Sequence, residues 1–230
     1  MTAEPVKPAP SEVSKEERIR VLTEIILRNI ETWNINGKRI NTFIVMAEKL
    51  GGPIPDELKL HRDDLLRAAV VFLHASVEEL LRGLAVIYLP ACDEEALNQV
   101  PLAGSADTLR AEKFFLGRLA KHRGKTVDDL IAESVKEHVS RRTFNDTADI
   151  VRLFGALKIE VDAEFKDKIS KINDLIARRH QIVHRADITE RKQKPTPIDA
   201  KTVRGWLDSV HEFVAYVAAI DVVKSVAQWR

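Results

Sequence analysis

The sequence predicts an all-α protein, an antiparallel helical bundle with an extra N-terminal helical layer. Three observations carry that expectation. Only 9 glycines and 9 prolines punctuate the 230 residues. Apolar residues recur at intervals of three and four, the period of a helix with one buried face. No stretch alternates apolar and polar residues long enough to read as a strand. With 45% hydrophobic and 31% charged residues the chain has material for one generous core or two small ones.

Residues 1–13, proline-rich and charged, read as a disordered tail without the apolar stretch of a secretory signal. Residues 14–55 read as an N-terminal helical extension and 56–230 as the bundle proper. The extension is expected as two helices. One runs from Ser14 to Trp33, with Ile19, Leu22, Ile26 and Ile30 on one face, and one from Lys38 to Leu50. Gly37 and the Gly51-Gly52-Pro53 cluster mark the breaks. A long central helix follows from Asp63 to Leu89, closed by Pro90. Helices are then expected at Asp107–His122 and at Val127–Val139, the latter started by Thr126 as N-cap before two aspartates. In TFNDTADIVRLFGALKI an Asn or Asp caps a short helix carrying Ile150, Leu153, Phe154 and Leu157. The helix from Asp162 to His184 turns Phe165, Ile169, Ile172, Leu175 and Ile176 inward. A polar loop, TERKQKPTP, leads to a last helix from Asp199 to Gln228, with Val203, Trp206, Val210, Phe213, Val217 and Ile220 along its apolar stripe.

Composition excludes several classes. The net charge of +1 offers no global field to steer nucleic acid or a membrane surface. The most apolar stretch, Leu65 to Leu89, is interrupted by His74, Glu78, Glu79 and Arg82, at a cost of several kcal/mol in lipid, so no membrane association is expected. A single cysteine, Cys92, closes no intramolecular disulfide and points to a reducing, cytoplasmic setting. No histidine neighbours it to make a catalytic thiol. Phosphate-binding glycine loops and the G-x-S-x-G nucleophile turn are absent from the sequence.

The informative segment is ARRHQIVHRAD, residues 177–187, at the end of a helix. His180 and His184 have the spacing of a helical zinc pair, but Gln181 stands where that motif places its general base. They also suit a helix C-terminus as dipole-complementing residues. A third reading joins His184 to an arginine. Metal-free RNA cleavage needs a group that moves a proton near neutral pH and a fixed cation for the charge on phosphorus. Arg179 and His184 supply those types. Five helical steps turn them apart by about 140°, so they flank a groove.

This segment resembles the signature of the HEPN ribonucleases: an arginine, a polar residue directly after it, and a histidine separated from the arginine by four to six residues. Spacing alone is weak, since chance gives about two such pairs in a chain with 7 His and 19 Arg. Arg67 with His74 and Arg204 with His211 also fit, but Ala68 and Gly205 occupy the polar slot. Arg178 satisfies the spacing too, which leaves it and Arg179 as alternatives. The long helix carrying FLHASVEELLR and the segment TFNDTADIVRLFGALKI extend the likeness to the RiboL-PSP-HEPN branch, over roughly Asp63 to the C-terminus.

The resemblance implies a bundle of HEPN type and a homodimer with two motifs facing each other. It also implies an endoribonuclease that cuts RNA through the strand's own 2′-hydroxyl, without a metal or other cofactor. His184 is then the acid or base, Arg179 the phosphate clamp and His180 a positioning residue. Arg185, Arg191, Lys192 and Lys194 form a local basic excess for RNA binding. A toxin or antiviral effector, with an antitoxin or regulatory protein as partner, fits the same resemblance. So does a catalytically silent dimerising or nucleotide-binding module.

Two further groups have double readings. Glu78 and Arg82 share a helical face with His74 and either pair internally or line the dimer pocket. Arg141 and Arg142 either end a helix in solvent or touch RNA. The apolar surplus of the central helix calls for a cover, either a second copy or the N-terminal helices.

Overall fold

A computed structural model describes residues 15–52, 55–104, 116–188 and 195–228. Seven α-helices are described: α1 Lys15–Lys49, α2 Asp56–Tyr88, α3 Glu94–Leu97, α4 Val127–Ser140, α5 Thr147–Ala156, α6 Ala163–Arg185 and α7 Ala200–Gln228. Short 3-10 turns lie at Leu89–Ala91 and Leu116–His122. The described residues contain no strand beyond an isolated antiparallel bridge between Ile188 and Pro195. The all-α expectation holds.

Helix α2 is the axis of the bundle. Antiparallel α1 lies along it, with Phe43 against Phe72 at 5.6 Å between ring centroids and Arg39 over the Phe72 ring at 4.8 Å. Helix α6 packs antiparallel on another side, and α7 closes the four by running antiparallel to both α1 and α6. The Glu48 carboxylate accepts from Arg204 at 2.8 Å, and Asp162 accepts from the Tyr216 hydroxyl at 2.9 Å. Burial and that bond push the Tyr216 phenol up to about 12. One continuous core runs from Trp33, Ile40 and Ile44 through Leu66, Leu73 and Leu81 to Phe154, Phe165 and Phe213.

Two boundary expectations are corrected. Gly37 does not break a helix: α1 is a single helix through it. Trp33, Gly37, Ile40, Ile44 and Ala47 are all buried at spacings of four and three. That packed stripe outweighs the roughly 1 kcal/mol helical penalty of glycine. Helix α2 starts at Asp56 rather than Asp63, running on from Pro55 with a Leu58 amide to Pro55 carbonyl bond of 3.0 Å. Helix α1 also supplies a cover for α2, so the surplus of α2 is spent within one copy. The expected tail, most of the helix expected at 107–122 and the side chains of Ile19, Leu22, Ile26 and Ile220 lie outside the described residues.

Caps follow the sequence closely. Thr126 and Asp129 form a reciprocal capping box on α4. Asp146 accepts the Asp149 amide at 2.8 Å to start α5, and Asp162 accepts the Phe165 amide at 2.7 Å to start α6. All five residues expected to face inward on α6 are buried. Cys92 is a half-buried free thiol whose pKa burial raises. Among the described residues no helix is long and apolar enough to cross a membrane.

Candidate functional site

The segment 177–187 forms the last two turns of α6 and the reversal after them. Ala186 and Asp187 both adopt the left-handed conformation, with φ of 48° and 59°. Non-glycine residues occupy that region at a cost of about 1–3 kcal/mol each and need surrounding contacts to hold them. Those contacts are present. The Asp187 amide donates to Gln181 O at 3.2 Å, and the Thr196 amide donates to Asp187 O at 2.8 Å. Gln181 Nε2 reaches the Thr196 hydroxyl at 2.7 Å.

Beneath this reversal the Asp187 carboxylate is fully buried between two arginines. Arg67 Nε from α2 and Arg178 Nη2 from α6 each donate to its Oδ2 at 2.7 Å. Both guanidinium groups also donate to Thr196 O, at 3.0 and 2.9 Å. Arg178 donates further to Pro197 O at 3.2 Å. Its burial lowers its pKa, with Asp187 opposing that and the neighbouring Arg67 charge adding to it. The geometry therefore occupies Arg178 in the fold.

Arg179 faces elsewhere. It is half-buried and makes no ion pair with any described residue. Its charge is felt at His74 on α2, whose pKa is lowered first by burial and then by Arg179 and Arg82, with Glu78 and a hydrogen bond to Phe144 opposing. His180 and His184 are exposed on α6, with ring centroids 4.5 Å apart. Val183 between them is 47% exposed, and Arg185 beyond them is exposed. Among the described residues no group of three or more His, Cys, Asp or Glu gathers. Arg191, Lys192 and Lys194 lie outside the described residues.

The polar stripe of α2 is paired internally. His74 Nε2 lies 3.1 Å from Phe144 O, an acceptor only, which assigns the ring proton to Nε2. Glu78 Oε1 accepts the Phe144 amide at 3.0 Å, so one turn of α2 holds both backbone groups of that residue. Arg82 donates to Glu78 at 3.3 Å and to Arg142 O at 3.0 Å. This brace fastens the loop between α4 and α5 beside the Arg179 face. Sequence reading had kept this pairing beside a pocket-lining alternative; the partners in the loop were invisible to it.

Sequence reasoning missed Asp187 and Arg67 as a unit. On the sequence, Arg67 appears only as half of a chance match. The signal available was an aspartate at a helix-ending position, a residue type that tolerates left-handed backbone.

The all-α bundle, with the 177–187 segment closing α6, is the architecture expected of a HEPN-class domain. The family model for RiboL-PSP-HEPN matches residues 37–221, and the chain belongs to that family. The match takes in the last part of α1, from Gly37 onward. Comparison with curated proteins and with solved structures gives no match.

Proposed function

We propose that this HEPN-family chain is a metal-independent endoribonuclease, with Arg179 and His184 as its catalytic pair. The observation that carries the reading is the division of labour between adjacent arginines: Arg178 is tied to Asp187 and two carbonyls, while Arg179, without an ion-pair partner among the described residues, lies within the same last turns of α6 as the exposed His180 and His184. A guanidinium without a carboxylate partner is suited to a phosphate.

In the reaction the 2′-oxygen of the substrate attacks the adjacent phosphorus, its proton leaves to a base, and the bond to the 5′-oxygen breaks as that oxygen takes up a proton. The products are a 2′,3′-cyclic phosphate and a 5′-hydroxyl. His184 is the group that moves a proton, Arg179 holds the non-bridging oxygens and His180 positions the strand. Two copies related by a two-fold axis place two such half-sites together and close the pocket against water. The setting is that of a toxin or antiviral effector, restrained by an antitoxin or regulatory protein.

The test is RNA cleavage by the purified chain in excess chelator, on RNA and on DNA of the same sequence. RNA is cut and DNA, lacking the 2′-hydroxyl, is not. His184→Ala and Arg179→Ala each lower the rate by about 10²- to 10⁴-fold with an unchanged circular dichroism spectrum. Wild-type activity in His184→Ala removes this assignment, and RNA binding without cleavage by the native chain assigns the silent module instead.

A further inference from the structure

An open cleft of about 490 Å³ lies between residues 99–102 and the end of α4, lined there by Glu137, Arg141, Arg142 and Arg152. Two of its three arginines have acidic partners: Arg141 pairs with Glu137 at 2.8 Å and Arg152 with Asp149. Arg142 has none among the described residues. Its guanidinium stacks over the Phe144 ring, 5.5 Å from the centroid, and its own carbonyl is held by Arg82. Phe144 is in turn fixed through both backbone groups by His74 and Glu78. A half-buried cation is thus held at a cleft wall, its pKa lowered first by burial and then by the Arg152 charge, with the Asp149 carboxylate, already paired to Arg152, opposing. With no carboxylate in ion-pair contact among the described residues, the Arg142 guanidinium fork is left to take the paired oxygens of a phosphate.

The brace that holds Arg142 also relates this cleft to the motif. His74, at one end of the α2 stripe, senses Arg179, and Arg82, at the other, holds Arg142. Eight residues of helix separate them by about 12 Å. The two sites are thus fastened to the same short stretch of α2, a spacing of a few nucleotides along a strand. We propose that the Arg142 cleft is a phosphate subsite for the RNA strand, engaging a backbone phosphate a few nucleotides from the bond that Arg179 and His184 attack. This rests on the ribonuclease reading above for its substrate.

The experiment uses the full chain carrying His184→Ala, so that RNA is bound and not cut, with a fluorescein-labelled single-stranded RNA dodecamer and a labelled dinucleotide as probes. Adding Arg142→Gln weakens dodecamer binding about five- to tenfold and lowers the slope of log affinity against log salt by about one, while dinucleotide binding is unchanged. Arg152→Gln, on a more exposed side chain, weakens the dodecamer in the same direction, and Arg142→Lys recovers part of the loss; thermal melts confirm that each variant is folded. Unchanged dodecamer affinity and slope in folded Arg142→Gln overturn the subsite, as does an equal loss on the dinucleotide. Failure to bind RNA, with an Arg142-dependent affinity for a nucleoside triphosphate, also overturns it and assigns the cleft to a nucleotide. If the native chain does not cleave but the dodecamer effect stands, the nuclease reading fails and the subsite survives.

Discussion

Arg178 donates to Asp187 Oδ2 at 2.7 Å across the end of α6, closing the turn that follows the motif onto the helix that carries it. Its neighbour Arg179 has no such tie among the described residues. Two consecutive arginines of equal charge therefore have separable effects. Arg178→Ala leaves a buried carboxylate with one cation fewer and costs about 3 kcal/mol, or roughly 6–12 °C in Tm for a chain of this size. Arg179→Ala changes stability by about 0.5 kcal/mol or less and abolishes cleavage. Thermal melts followed by circular dichroism, with cleavage measured well below both transitions, separate the two. Equal destabilisation by both variants contradicts the assignment.

The proposed shared site predicts a two-fold homodimer as the active species, because one copy presents Arg179 and His184 near a single helix end. Light scattering at micromolar concentration gives about twice the 26.0 kDa of the chain. A monomer that cuts RNA at the full rate contradicts the shared pocket.

His74 makes stability depend on pH in a fixed direction. Its folded pKa lies below the ordinary 6.5, mainly through burial, so between the two values the unfolded chain binds the extra proton. Its contribution is complete above about pH 6.5 and is lost as pH falls towards the folded pKa. Tm measured from pH 8 to pH 5 declines less in His74→Gln, which retains a donor for Phe144 O but does not titrate. An identical decline in both proteins removes His74 as a source.

Gly37→Ala stabilises the bundle. A Cβ at this position meets His211 Nε2 at 3.5 Å, an ordinary contact, within an uninterrupted helix. The gain is about 1 kcal/mol, read as a rise in denaturant midpoint at unchanged m-value.

Helix stripes were legible because each helix buries one face: the inward residues of α5 and α6 were placed individually and all are buried. Caps were legible for the same local reason, as at Thr126 and Asp162. Gly37 was misread because local propensity at a single glycine is outweighed by packing on both sides of it, which only the neighbouring α7 reveals. The motif was legible as residue types at a spacing, yet Arg178 and Arg179 were equivalent on that basis. What tells them apart is Asp187, and its partner Arg67 is 120 residues distant in the chain. No periodicity encodes a contact of that range. The Phe144 brace was half legible, with its α2 side chains named and its backbone partner unseen.

The bridge between Ile188 and Pro195 has an evolutionary corollary. It pins both ends of the intervening segment at a short separation, with Thr196 and the buried aspartate as the anchor. Doubling the number of residues between the pins adds only about 0.6 kcal/mol of closure entropy. Insertions and charge changes there can therefore accumulate without displacing His184, four residues before Ile188, leaving this family member a place to vary its surface while the helix end beside it stands still.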